Sequence, residues 1–221
     1  TMPLVERLRA AVRFKPEMCS LNMGTINFAM FPAAKRIGSW KHEWEKDYIL
    51  GSDDFIFRNT FKDIETVLHE LGDKHGTRFE FECYDTAHLY NLAHFLERGL
   101  VRAPLFVQTV FGILGGIGTH PDDVMHMKRT ADRLFGDHYL WSVLGAGKSQ
   151  FPIAATAAAI GGNVRVGLED SLWSGPGRLS VSNAEQVKNI RQIIEGLGLS
   201  IATPDEARAM LHLKGRGSVN F

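Results

Sequence analysis

Short apolar runs alternate along this chain with longer stretches of helical period. The strand candidates are MCSLN (18–22), FIFRN (55–59), RFEFECYD (78–85), LFVQTVF (105–111), YLWSVLG (139–145) and NVRVGLED (163–170). Helical stretches lie between or after them at 61–74, 86–99, 121–135, 152–160 and 183–197. The stretch at 121–135 opens on a proline and two aspartates, which suit the first turn of a helix because proline has no N–H to satisfy and the aspartates meet the helix's positive end. Thr203, Pro204 and Glu206 spell a capping box and place one more helix after residue 203.

Six strand–helix units in sequence imply a parallel sheet, since parallel neighbours need a crossover between them. The sheet could be open and doubly wound, or part of a barrel. Side-chain alternation separates the two. In RFEFECYD, Phe79, Phe81 and Cys83 share one face, and Arg78, Glu80, Glu82 and Tyr84 share the other. In NVRVGLED, Val164, Val166 and Leu168 oppose Arg165, Gly167 and Glu169. A central strand of an open parallel sheet is apolar on both faces. Strands with one ionisable face suit helices outside and a polar mouth inside. The expected fold is a (β/α)8 barrel lacking its first two units, as one domain over residues 1–221.

Charge changes little in this picture. Lys and Arg total 25, as do Asp and Glu, so no basic excess points to nucleic acid or an acidic membrane surface. No apolar run has the length of a membrane span. Two cysteines, Cys19 and Cys83, make no disulfide framework, and a cytoplasmic location follows as the expectation.

Barrel enzymes of this kind work at the C-terminal ends of their strands. Those ends carry Ser20 and Asn22, Asn59 and Thr60, Glu82, Tyr84 and Asp85, Gln108 and Thr109, Gly145 to Gly147, and Arg165, Glu169 and Asp170. The set suits acid–base or metal chemistry on an anionic substrate. Arg78 and Glu80 read as a structural ion pair. Two adjacent acids after an apolar strand, beside Arg165, read as functional, because burying them requires a partner. SVLGAGKSQ has Ser142 where a phosphate-binding P-loop needs glycine. Gly147 and the helix that follows could still approach an anion, as could the glycine-rich turn FGILGGIGTH (111–120). The nine histidines include no His-x-His or His-x-x-x-His pair, so local spacing assembles no metal site.

Taken in order, the strand-end segments resemble the β-keto acid cleavage enzymes, which include the 3-keto-5-aminohexanoate cleavage enzyme. The segments are KPEMCSLNMGTINF (15–28), FRNTFKDIE (57–65), RFEFECYDTAHLYNLAHF (78–95), PLFVQTVFGILGGIG (104–118), WSVLGAGKSQ (141–150), GGNVRVGLEDSLW (161–173) and ATPDEAR (202–208). VRVGLED is the most specific of them. The resemblance implies a zinc-dependent barrel that exchanges a β-keto acid with acetyl-CoA, giving acetoacetate and an acyl-CoA. It implies a metal held by Glu169 and by two histidines of an early His-x-His, a motif this chain does not carry. Arg165 and Asp170 match the family's arginine and aspartate, with Asp170 as the expected base. Ser20 and Glu82 look like its substrate-contacting serine and glutamate, with Thr60 a further candidate. Asn59 and Gly147 stand as substrate-binding candidates from their strand-end positions. The resemblance also implies a homo-oligomer, a dimer or tetramer. Two other readings stand beside it: a barrel lyase or aldolase for a phosphorylated substrate, and a non-catalytic binding module without a metal site.

Overall fold

The structure, a computed structural model, describes residues 2–221. Five strands form a parallel sheet in the order β1 (Met18–Asn22), β4 (Arg78–Cys83), β5 (Leu105–Phe111), β6 (Tyr139–Gly145) and β7 (Asn163–Val164). Crossover helices α3 (Phe61–Val67), α4 (Thr86–Glu97), α5 (Pro121–Phe135) and α6 (Gln150–Ala159) connect them, and α7 (Asn183–Gly196) and α8 (Pro204–Leu211) follow. Helix α1 (Leu4–Phe14) precedes β1, which with β7 is an edge of the sheet.

The apolar face read for RFEFECYD is buried, whereas Val164, Val166 and Leu168 of the face read for NVRVGLED are only half-buried. Phe79, Phe81 and Cys83 of β4 join Val107, Trp141 and Val143 beneath the helices. Helix α5 answers with Val124, Met127, Ala131 and Phe135, a single stripe at helical spacing, and α4 with Leu89, Leu92 and Phe95. Phe95 is fully buried, a contact that stabilises by roughly 2–3 kcal/mol relative to exposure. The capping box read at Thr203 is formed, and Thr60 and His120 form capping boxes at the starts of α3 and α5.

Two expected strands differ. FIFRN contributes only β3 (Ile56–Phe57), which runs antiparallel to β2 (Ile26–Asn27) and lies outside the parallel sheet. Its apolar run is three residues long, and β4 already occupies the place beside β1, with α3 as the crossover. Residues 23–60, which include α2 (Glu43–Leu50), are therefore an excursion within one β/α unit, and the parallel strands number five. NVRVGLED pairs only through Asn163 and Val164 before the chain turns, with the Asp170 and Ser171 amides both donating to the Gly167 carbonyl. Among the described residues no helix is long and apolar enough to cross a membrane.

Candidate active site

The inner faces of β1 and β4 lead to a charged cluster at the C-terminal end of the sheet. Arg165 follows β7 and donates its N–H to Val143 of β6, which aims its side chain inward. Its guanidinium grips Asp170 in a fork, Nε to Oδ2 at 3.0 Å and Nη2 to Oδ1 at 2.9 Å. Nη1 reaches Glu82 Oε1 at 3.3 Å, and Nη2 also pairs with Glu169. Tyr84 donates its hydroxyl to the other Glu82 oxygen at 3.2 Å. Asp170 and Glu82 side chains are 5% and 10% exposed, whereas Glu169 is 80% exposed.

Three carboxylates around one arginine leave an excess of negative charge, and the protonation equilibria show it. Burial, then the charge of Glu80, pushes Glu82 up to about 7, against the pull of Arg165 and Tyr84. Asp170 is pushed up to about 6, first by burial and then by its hydrogen bond with Glu169, although Arg165 opposes this. Burial works against the Arg165 charge too, but Asp170, Glu169 and Glu82 outweigh it and hold the guanidinium charged. The fork is therefore an ion pair at neutral pH, beside a Glu82 balanced between its two forms.

Both ends of the turn that carries Glu169 and Asp170 are held by buried glutamines. Gln150 Oε1 accepts the Gly167 N–H at 3.0 Å, and its Nε2 donates to Gln186 Oε1 at 2.9 Å. Gln186 Nε2 in turn donates to the Ser171 carbonyl at 2.6 Å. Gly147, at φ 58°, gives its N–H to the Asp170 carbonyl at 2.8 Å. These residues set the position of Asp170 without being part of the acid cluster. Gln186 could have been noticed in the sequence, since it stands four and eight residues before Ile190 and Ile194 on one buried helix stripe.

The other expected site residues divide. Ser20 donates its hydroxyl to Glu80 Oε2 at 2.8 Å, and Gln108 donates to Glu80 Oε1 at 2.6 Å. Ser20 thus lies within β1, one layer below the Glu82 level, and lines the cleft there. The expected Arg78–Glu80 pair is not formed, because Arg78 donates instead to the Arg102 and Pro104 carbonyls. Asn59 is buried and donates to the Asn22 carbonyl at 2.6 Å, and Thr60 caps α3 through Asp63. Both are engaged in holding local structure, because their segment left the parallel sheet. The glycine-rich turn after β5 is also occupied. A Cβ on Gly115 would stand 1.7 Å from the Asn27 carbonyl oxygen, so glycine there lets two backbones meet.

Ser20, Asn22, Glu82, Tyr84 and Glu169 line one side of a cleft of about 620 Å³, and Phe28, Phe55 and Phe57 line its apolar side. Among the described residues no three His, Cys, Asp or Glu side chains converge as a metal's ligand set. Glu169, the most accessible acid of the cluster, is paired with Arg165. The donors of this chain do not by themselves fit the zinc ion that the resemblance implies.

A 3,5-dioxohexanoate:acetyl-CoA acetone transferase of Paraburkholderia graminis is 58% identical over 220 residues, covering 100% of this chain and 71% of that protein. A 3-dehydrocarnitine:acetyl-CoA trimethylamine transferase of Rhizobium meliloti is 29% identical over 96% of this chain and 61% of its own length. A 3-keto-5-aminohexanoate cleavage enzyme of Fusobacterium nucleatum is 31% identical over 95% of this chain. The chain spans 66% of that last protein's length. The sequence model of the beta-keto acid cleavage enzyme family matches residues 1–213, and the chain belongs to that family.

Proposed function

We propose that this chain carries the C–C bond exchange between a β-keto acid and acetyl-CoA, yielding acetoacetate and an acyl-CoA. The observation that carries the reading is the buried Arg165–Asp170 fork, whose guanidinium also holds Glu82 and Glu169, two acids that line the cleft. The carbon between the ketone and carboxylate of such an acid bears its acidic proton. Asp170, ionised at neutral pH and held in place by Arg165, is the base that removes it, a role typically worth about 10²–10⁴-fold in rate. The resulting carbanion takes the acetyl group from the thioester. The freed thiolate then attacks the ketone, and the bond between the ketone and the former carbanion carbon breaks. That carbon becomes part of acetoacetate and takes a proton back, for which neutral Glu82 stands on the opposite side of Arg165.

The first acid to test is 3,5-dioxohexanoate, after the relative at 58% identity. Atom balance then makes acetoacetyl-CoA the second product. The apolar side of the cleft, with Arg7 over the Phe57 ring at 5.1 Å, favours a neutral tail over a cationic one. The purified full chain, given this acid and acetyl-CoA, should form acetoacetate and the new thioester in equal amounts. Thioester hydrolysis alone, or no reaction with several β-keto acids, would reject the reading.

The finer features belong to the same proposal. The five strands are read as a section of a (β/α)8 barrel, within one domain. Glu169 is the one member of the expected metal-ligand set that this sequence carries; zinc analysis of the purified protein against Glu169→Gln tests whether it holds a metal. Two free cysteines suit a reducing cytoplasm, and a homo-oligomer is expected.

A further inference from the structure

A second cleft, of about 890 Å³, opens on the far side of the Gly147 turn. Its size is that of a small-molecule site. Phe151 and Ile193 contribute its apolar floor, and Trp173, 42% exposed, stands at its edge. Three cations line it, Arg36, Lys148 and Arg178, and no lining residue is Asp or Glu. In a chain with 25 cationic and 25 anionic side chains, that is a local selection of sign. Arg178 is anchored by Glu185 at 3.1 Å, whereas among the described residues Arg36 and Lys148 make no ion pair.

The two clefts are neighbours through the backbone. Gly147 lines the second, and its N–H holds the carbonyl of Asp170, whose chain neighbour Glu169 lines the first. The outer wall is a hairpin of β8 (Trp173–Gly175) and β9 (Arg178–Leu179), turning through Pro176 and Gly177 at φ 70°. This hairpin grows directly from the segment that carries Glu169 and Asp170. A ligand that fills both clefts must be long, with its reacting group at one end and anionic, planar groups at the other.

We infer that this second cleft holds the nucleotide end of the CoA thioester, with its phosphates on Lys148, Arg36 and Arg178 and its purine against Trp173 or Phe151. The inference rests on the reading of acetyl-CoA as co-substrate. Bare phosphate would have no use for the aromatic edge, and an apolar partner would have none for three cations. The ligand class that uses both is a phosphorylated purine nucleoside.

Adenosine 3′,5′-bisphosphate, which carries the purine and two phosphates without the thioester arm, is the direct probe. Titrated calorimetrically into the full chain, it should bind, and Lys148→Gln and Arg36→Gln should each weaken it about tenfold or more, as loss of a charged hydrogen bond predicts. Both side chains are exposed, so neither change disturbs the core, and Lys148→Glu should abolish binding. The KM for acetyl-CoA should rise in step, and by far less for acetyl-pantetheine, which lacks the nucleotide. No binding by the unaltered chain, or equal binding in all variants, would overturn the assignment. Bisphosphate binding that these variants lose, without any acetyl-CoA turnover, would keep the nucleotide cleft and reject the reaction. Turnover with an unaltered KM in the variants would do the reverse.

Discussion

Two arginines at opposite ends of the sheet make nearly the same contacts with different consequences. Arg208 of α8 pairs with Glu17, just before β1, at 3.1 Å, and with Asp205 at 2.9 Å. Arg165 pairs with Asp170, Glu82 and Glu169. Each has one partner that is largely in water, Asp205 at 95% and Glu169 at 80% exposure. The difference lies in the other partners. Arg208 balances one half-buried acid and joins residues far apart in sequence, which is a structural tie. Arg165 faces two acids that are almost buried, with Glu80 beneath them, and cannot neutralise them all. Charge imbalance under burial is what moves a carboxylate into the range of acid–base work, and an ion pair alone does not.

The largest effect expected from this contrast is that of Arg165→Met. It leaves Asp170 and Glu82 buried without their cation and should destabilise the fold by about 3 kcal/mol, the low end for a broken buried pair because the site is partly open. Arg208→Met should cost far less and leave turnover intact. Urea denaturation and a turnover assay of both variants make the comparison, and equal losses would erase it.

Glu82 gives a pH test. Its carboxyl is raised from 4.5 to about 7 in the folded chain, so the unfolded chain ionises it first. Stability is then greatest below pH 4.5 for this group and falls as pH rises toward 7, by about 2–3 kcal/mol. Glu82→Gln should remove the part of that decline between pH 6 and 8, visible as urea midpoints that level off there, while Asp170, raised to about 6, still gives a decline below pH 6. A similar decline between pH 6 and 8 in the variant would place the ionisation elsewhere. The smallest of these effects is that of Gln186→Leu. It strands Gln150 and the Ser171 carbonyl at a cost of about 1–2 kcal/mol, and lowers kcat by loosening the turn under Asp170. Arg208→Met should show no such fall in kcat.

Much of this was legible in the residues. The strands at 18–22, 105–111 and 139–145 are compact apolar runs closed by polar turns, and they fall where they were read. The alternation in RFEFECYD assigned both faces of β4, because a period of two needs no knowledge of neighbours. FIFRN has too few apolar residues to compete for a place in the sheet, and only the tertiary pairing of β1 with β4 reveals that. Its loss carried Asn59 and Thr60 into structural duties. Glu169 and Asp170 were read as the end of a strand, where adjacent side chains diverge. They converge on Arg165 because the chain turns at Gly167, and that turn depends on glutamines from two distant helices. No local pattern records such a contact.

The central claim is that Asp170 is the base and Arg165 its holder. Steady-state kinetics of Asp170→Asn, in the full chain with saturating β-keto acid and acetyl-CoA, tests it most directly. The account predicts a kcat lower by about 10²–10⁴-fold, with the variant folded and the KM for acetyl-CoA little changed. A kcat within a few-fold of the unaltered enzyme would contradict it.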